Sequence, residues 1–302
     1  LTGNKSTSAQ FQIAGMAALG LSLFALTLPK CPPPSVQQEN QTLFQTLGLE
    51  AFKLFANYKM ALFFIFSMFL GGALQLPNAY GDVFLDEFKF YPKYSESIVV
   101  KYSTIIMSIS QISETLFILA IPFFLKRFGI KKVMLISMFA WVLRFGLFAF
   151  GDPTIGLWMI ILSCIVYGMA FDFFNISGSL FVETSTNSQI RSSAQGLFMM
   201  MTNGFGAVFG SLISGWVIDH NFTKHFTSIR PLSSFLQTEE NNLSLIKFLE
   251  NRGVSILENG QLSTELLLKD WHNIWIAFAL YTLCIALLFA FMFKHKHEIH
   301  QK

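Results

Sequence analysis

The sequence predicts an all-α polytopic membrane protein, and three observations carry that reading. The 302 residues are 53% hydrophobic and only 13% charged, whereas a soluble domain carries about 25% charged residues. Phenylalanine alone accounts for 35 positions. Apolar runs long enough to cross a bilayer, about 20 residues each, recur along the whole chain. Only helices and closed barrels satisfy backbone polar groups in lipid, and runs of this length mean helices.

Seven runs qualify, at about 11–28, 59–78, 102–125, 132–150, 154–182, 195–218 and 272–293. The first ends at Leu28-Pro29-Lys30, a helix stop at a basic interface. It could also imitate a secretory signal with Lys5 as its flank, but no small-residue cleavage site follows. Residues 29–58 read as a cytoplasmic linker. After Pro-rich 29–34, Gln41–Tyr58 sets Phe44, Leu47, Ala51, Leu54 and Phe55 on one helical face. Thr46, Glu50, Lys53 and Asn57 lie opposite, the spacing of an amphipathic helix at the membrane surface.

Charge sorts the remaining connectors. Lys126, Arg127, Lys131 and Lys132 crowd one turn, and Lys294 and Lys296 follow the last span, while Gly151-Asp152-Pro153 has no cation. The positive-inside rule then puts the basic turn and the 294–302 tail in the cytoplasm. Residues 219–271 form a polar external loop with an Asn259-Gly260 turn signal, better read as a loop with short helices than as a soluble domain. The tail's histidines read as a basic flank rather than a metal site. Cys31, Cys164 and Cys284 are far apart and imply no disulfide framework. The net charge of +3 gives no reason to expect a nucleic-acid partner. The expected partners are membrane lipid and a small solute.

A first span joined by a long linker to six more looks like the end of one six-helix bundle leading into another. On this layout residues 1–28 hold the last helix of an amino-terminal bundle and 59–293 the carboxy-terminal one. The chain begins with Leu1, and the rest of the amino-terminal bundle is expected to lie outside it. Transporters with two such repeats bind solute at midplane between them.

The functional signal lies in polar residues within the spans. Asp172 sits in a run, Pro153 to Phe181, otherwise free of formal charge. A carboxylate there costs roughly 2.5–3.5 kcal/mol on insertion scales, and such acids usually face a protein interior or a water-filled cavity. Three spans carry a polar pair at i, i+3, on one helix face: Gln75 with Asn78, Gln111 with Glu114, and Asp172 with Asn175. Tyr167 and Phe171 accompany the last pair, with Phe174 beside them. Each pair has a structural alternative: capping or an interface for Gln75 and Asn78, interhelix bonding for Gln111 and Glu114, and pairing with Arg144 for Asp172. Arg144, near the centre of its span, could neutralise Glu114 or Asp172, bind a substrate anion or face a polar crevice, and is read first as a structural or charge-pairing residue. Desolvation disfavours the charged form of a carboxylate, so Glu114 and Asp172 are the candidates for proton coupling. Amides and aromatic faces suit the edges and planes of a nucleobase or the hydroxyls of a sugar. Gly206, Gly210 and Ser214 repeat at small-xxx-small spacing, which permits close helix approach.

Leu74-Gln-Leu-Pro-Asn-Ala-Tyr-Gly81, Ser110-Gln-Ile-Ser-Glu-Thr115, Phe123-Phe-Leu-Lys-Arg-Phe-Gly-Ile-Lys-Lys132 and Tyr167-Gly-Met-Ala-Phe-Asp-Phe-Phe-Asn-Ile-Ser177 resemble the nucleoside:proton symporters of the major facilitator superfamily. Arg191-Ser-Ser-Ala-Gln-Gly196 fits as well. The resemblance implies a twelve-helix, two-bundle importer in a bacterial inner membrane, working by alternating access with the proton as coupling ion and no other cofactor. It implies substrate contacts at Gln75, Asn78, Gln111, Glu114, Tyr167, Phe171 and Asp172; Asn175 is added on spacing alone. Another major-facilitator solute, such as a sugar or drug, and a non-transporting nutrient sensor are the alternatives. An intramembrane aspartyl protease would need Gly-x-Gly-Asp, and Ala170-Phe171-Asp172 lacks it.

Overall fold

The computed structural model describes residues 8–29, 48–94, 97–251 and 253–294. The chain divides into two compact units, Leu1–Thr42 and Leu43–Lys302. In the first, α1 (Ala9–Ala25) is apolar on all sides, with no amphipathic face. Its 17 residues fall short of the usual span.

The second unit holds the helical bundle. α2 (Tyr58–Glu87) begins where the Asn57 side chain accepts from the backbone N–H groups of Lys59 (3.0 Å) and Met60 (3.4 Å). It continues past Pro77, so Gln75 and Asn78 lie in the body of a 30-residue helix and not at its end. α3 (Ser103–Phe150) runs for 48 residues but is broken at Gly129, whose φ of 77° favours glycine. The basic turn Lys126–Lys132 surrounds that break, which divides the helix into two halves. α4 (Leu157–Ser185) follows the Gly151-Asp152-Pro153 turn. There Asp152 accepts hydrogen bonds from the Thr154 N–H (2.7 Å), the Thr154 hydroxyl and the Gly156 N–H (3.1 Å). Burial works to raise the Asp152 pKa, but those hydrogen bonds and nearby Lys93 outweigh it and hold the carboxyl below its usual value. α5 (Arg191–Phe222) contains π-helical turns at Met200–Gly206 and Ile218–Phe222.

Next comes a small lobe: β1 (Thr223–Ser228), α6 (Ile229–Phe235), α7 (Leu243–Asn251) and β2 (Gln261–Lys269). The strands pair antiparallel, from Thr223 opposite Lys269 to Ser228 opposite Gln261. Asn259-Gly260 makes a tight turn, with Gly260 at φ 76° and Ile256 bridged to Leu262. The lobe has its own apolar core, including Phe226, Leu232, Leu245, Leu249 and Leu266. A stretch read from sequence as a loop is therefore a packed unit. Its apolar positions are short and scattered, and only the strand pairing brings them together. α8 (Trp271–Met292) closes the bundle, capped by the Asp270 carboxylate on the Asn273 N–H.

By length and composition, α2 to α5 and α8 can each cross a membrane. Their interior is dominated by aromatic rings. Near the basic turn Phe63 meets Phe181 (4.8 Å), Phe198 (5.3 Å) and Phe293 (6.4 Å). At the opposite end Trp275 meets Phe84 (5.5 Å) and Phe148 (5.1 Å). The Lys131 ammonium donates to the Ala290 carbonyl (2.9 Å), so the basic turn and the carboxy-terminal end of α8 share one side.

The expected amphipathic helix is described only from Gly48. Leu49–Ala56 is a 3₁₀ helix that packs its Ala51, Leu54 and Phe55 side on the bundle, while Phe52 stays exposed. Phe44, Thr46, Leu47 and the histidine-rich tail beyond 294 lie outside the described residues. Cys164 is buried and Cys284 exposed, both as free thiols.

The small residues of α5 do what their spacing predicts. A Cβ on Gly210 would lie 2.4 Å from Gly72 Cα, and one on Gly206 would lie 2.5 Å from the Met68 carbonyl oxygen. Gly210→Ala should therefore force α5 off α2 at a cost of about 1–3 kcal/mol. Gly146→Ala, with nothing within 4 Å of the added carbon, should leave the unfolding temperature unchanged or raised. Thermal unfolding of the purified protein in detergent checks both.

Candidate functional site

The candidate residues of α3 and α4 meet through one close contact. A Cβ on Gly168 would lie 2.5 Å from the Ser113 carbonyl carbon and 2.6 Å from the Glu114 nitrogen. The first half of α3 thus touches the backbone of α4, with Glu114 at that point. The Ser113 hydroxyl locks the contact by donating to the Ile165 carbonyl. Asp172 follows one turn further along α4. Gln111 lies one turn earlier on α3.

The second half of α3 holds the other side of α4 through a ladder of polar and aromatic contacts. The Ser137 hydroxyl donates to the Ala170 carbonyl. Trp141 stands edge-on to Tyr167 at 5.8 Å. Arg144 Nη1 donates to the Ser163 carbonyl (2.8 Å), and the Ser163 hydroxyl donates back to the Arg144 carbonyl (3.0 Å). The Arg144 guanidinium lies 4.5 Å from the Tyr167 ring centroid and 5.0 Å from that of Phe148. Arg144 is 1% exposed and, among the described residues, makes no ion pair. The expected pairing with Glu114 or Asp172 is therefore replaced by a carbonyl and two rings. Such a site stabilises a buried cation through cation–π attraction and a charge-assisted hydrogen bond.

That arrangement separates the aromatic candidates. Tyr167 is buried beneath Arg144 and Trp141, while Phe171 stacks on it at 5.6 Å and 27° and stays half-exposed. Phe174 faces the core, stacked on Phe63 at 6.3 Å.

The polar candidates divide by whether the bundle uses them. Asp172 is 4% exposed, and its Oδ2 has no hydrogen-bond partner among the described residues. Asn175 Nδ2 donates to the Phe171 carbonyl (3.1 Å), leaving Oδ1 without a partner. Asn175 also lines an open groove of about 590 Å³ with Pro122, Ser179 and Glu183. Glu114 is half-buried and Gln111 exposed; Gln75 is half-buried and Asn78 exposed on α2. None of these four side chains makes a hydrogen bond or ion pair among the described residues.

One acid escaped the sequence reading. Asp82 lies four residues past Asn78 and seven past Gln75, on the same face of α2, and accepts from the Thr104 hydroxyl (3.5 Å). Ending the span at residue 78 hid it. The signal was the uninterrupted apolar spacing through Pro77 to Leu85.

Comparison with known proteins identifies the family. The family described as "Nucleoside H+ symporter" matches residues 2–235. The chain belongs to the nucleoside:proton symporter family. It is 46% identical over 298 residues to the nucleoside permease NupG of Escherichia coli K12, covering 98% of this chain and 61% of that protein. It is 47% identical over 293 residues to the xanthosine permease of the same organism, covering 97% of this chain and 60% of that protein. Crystal structures of the nucleoside transporter NupG share its fold. One, of a point mutant, matches with a TM-score of 0.71 at 45% identity over 95% of this chain and 61% of that one. A second matches with a TM-score of 0.68 at 46% identity over 97% of this chain and 62% of that one. The chain thus spans about three fifths of the length of these relatives. These relatives are transporters, not enzymes.

The Arg144–Tyr167 contact gives a direct test of the ladder. Tyr167→Phe keeps the ring and should preserve stability, whereas Tyr167→Ala removes the seat of a buried cation. A loss of about 3–5 kcal/mol is expected for such a truncation, read as a lowered unfolding temperature in detergent.

Proposed function

We propose that this chain contributes one helical bundle to a proton-coupled nucleoside importer that works by alternating access in a bacterial inner membrane. One observation carries the proposal. Gln75, Asn78, Gln111 and Glu114 lie on membrane-length helices without a hydrogen-bond partner among the described residues, and Asp172 Oδ2 is buried in the same condition. Unsatisfied polar groups in an apolar setting are costly, and intramembrane acids usually mark a solute or ion pathway. A facing bundle and a polar solute between the two would satisfy them. The length of the relatives supports such a partner bundle, with α1 as its last helix and seven spans in this chain.

In this reading Gln75, Asn78 and Gln111 hydrogen-bond the base or sugar, for which amides provide both donors and acceptors. Phe171 offers its half-exposed ring to the base. Glu114 and Asp172 accept from ribose hydroxyls when ionised, and one of them takes up the proton when the site opens outward. Tyr167 and Arg144 act as positioning residues through Phe171 and α4. The basic turn and the tail face the cytoplasm, as their lysines and arginines favour.

Cells expressing the intact transporter should accumulate labelled uridine, and a protonophore should abolish the accumulation. Asp172→Asn and Glu114→Gln should each remove accumulation at unchanged membrane expression. Concentrative uptake by both variants at the native level would sink the assignment of those two acids.

A further inference from the structure

The end of the bundle opposite the basic turn carries a second cavity, separate from the face that bears Asp172. Its volume is about 360 Å³, within the range of small-molecule sites, roughly 300–1,000 Å³. It lies where the lobe meets the helix ends, and aromatic rings dominate its walls. Phe88 meets Tyr94 edge-on at 5.5 Å, and Tyr91 lies 6.0 Å from Tyr94. Part of this apolar surface anchors the lobe, since Tyr91 also contacts Phe235 at 6.5 Å.

Anchoring does not account for the polar groups in the same walls. Gln237 has a φ of 53°, the one described non-glycine residue in the left-handed region. It closes α6, where its N–H bonds to the Ser234 carbonyl (3.2 Å), a position that glycine takes without strain. Glutamine there sets an amide on the cavity wall, and that side chain makes no hydrogen bond among the described residues. Lys93 also lines the cavity; its ammonium lies 5.3 Å from the Tyr94 ring and makes no ion pair among the described residues. The His272 ring bonds to the Ala149 carbonyl through Nδ1 (2.8 Å), so that nitrogen carries the hydrogen and the neutral ring keeps Nε2 as an acceptor. Burial first, then the nearby Glu87, Asp270 and Tyr94, push the Tyr91 phenol up to about 12, so it remains a neutral hydroxyl. Asp270, by contrast, is engaged in capping α8.

Flat rings together with an uncommitted amide, an ammonium and an imidazole acceptor suit a planar heteroaromatic ligand with hydrogen-bonding edges. Bases stack on aromatic faces without demanding one sequence or edge pattern, and the amide reads the edge. We propose that this cavity is a second, outer binding site for nucleoside, with the base against the Tyr91–Tyr94 rings and its edge within reach of Gln237. The proposal rests on the nucleoside-importer reading for the identity of the ligand and for the outward position of this end. Such a site would collect solute ahead of the central one.

Equilibrium binding of labelled uridine to the intact transporter, purified in detergent, tests it. The native protein should bind two equivalents. Asp172→Ala should lose one and keep the other. Gln237→Gly, which suits the left-handed backbone and so preserves the fold, should weaken the outer site by roughly tenfold, about 1.4 kcal/mol. Tyr94→Ala should do the same, and both variants should keep the central equivalent and continue to take up uridine. A single equivalent in the native protein, or a second equivalent that Gln237→Gly and Tyr94→Ala leave unchanged, overturns the outer site while uptake keeps the importer reading intact. A native protein that neither binds nor accumulates any nucleoside overturns both.

Discussion

The contact of Gly168 with the backbone at Ser113 and Glu114 sets the position of every candidate site residue on α3 and α4. No other residue allows it, because any Cβ would fall inside the neighbouring backbone. With the two helices at that separation, the Ser113 hydroxyl reaches a carbonyl on α4, and Glu114 lies at the contact, one turn before the level of Asp172. The second half of α3 clamps the opposite side of α4 through Ser137, Trp141 and Arg144. Between these two contacts α4 has little freedom, so Phe171, Asp172 and Asn175 are presented at a fixed height.

The bundle treats its polar side chains in two distinct ways. Ser113, Ser137, Ser163 and Arg144 are spent on carbonyls and rings, and they hold helices together. Gln75, Asn78, Gln111 and Glu114 make no such bond among the described residues, and Asp172 Oδ2 is buried without one, where an unmet hydrogen bond is expensive. The proposed alternating access would give a reason for keeping them: groups that must bind and release a solute cannot be permanently satisfied by the scaffold. The close-packed glycines between α2 and α5 fit the same account, because smooth backbone contacts allow helices to shift without unlocking interdigitated side chains.

Much of this was legible in the residues. The i, i+3 pairs marked helix faces, the basic turn marked a chain reversal, and the glycine spacing on α5 marked a helix contact. The structure corrects that reading where partners are distant in sequence. Arg144 looked like the mate of an acid, since a buried cation needs compensation; nothing local shows that Ser163 and two aromatic rings provide it. The span read as ending at residue 78 runs on to Glu87, and the long helix accommodates Pro77 inside it. The lobe between α5 and α8 was hidden because its apolar residues form a face only after β1 meets β2 across some forty residues.

The central claim is that the uncommitted acids of α3 and α4 couple nucleoside entry to proton entry. Its most direct test is the external pH of a lightly buffered suspension of energy-depleted cells expressing the intact transporter, recorded as uridine is added. The account predicts that uridine alkalinises the medium in the native protein, and that Asp172→Asn and Glu114→Gln abolish the response. Uridine entry without proton movement in the native protein, or an undiminished response in both variants, would contradict it.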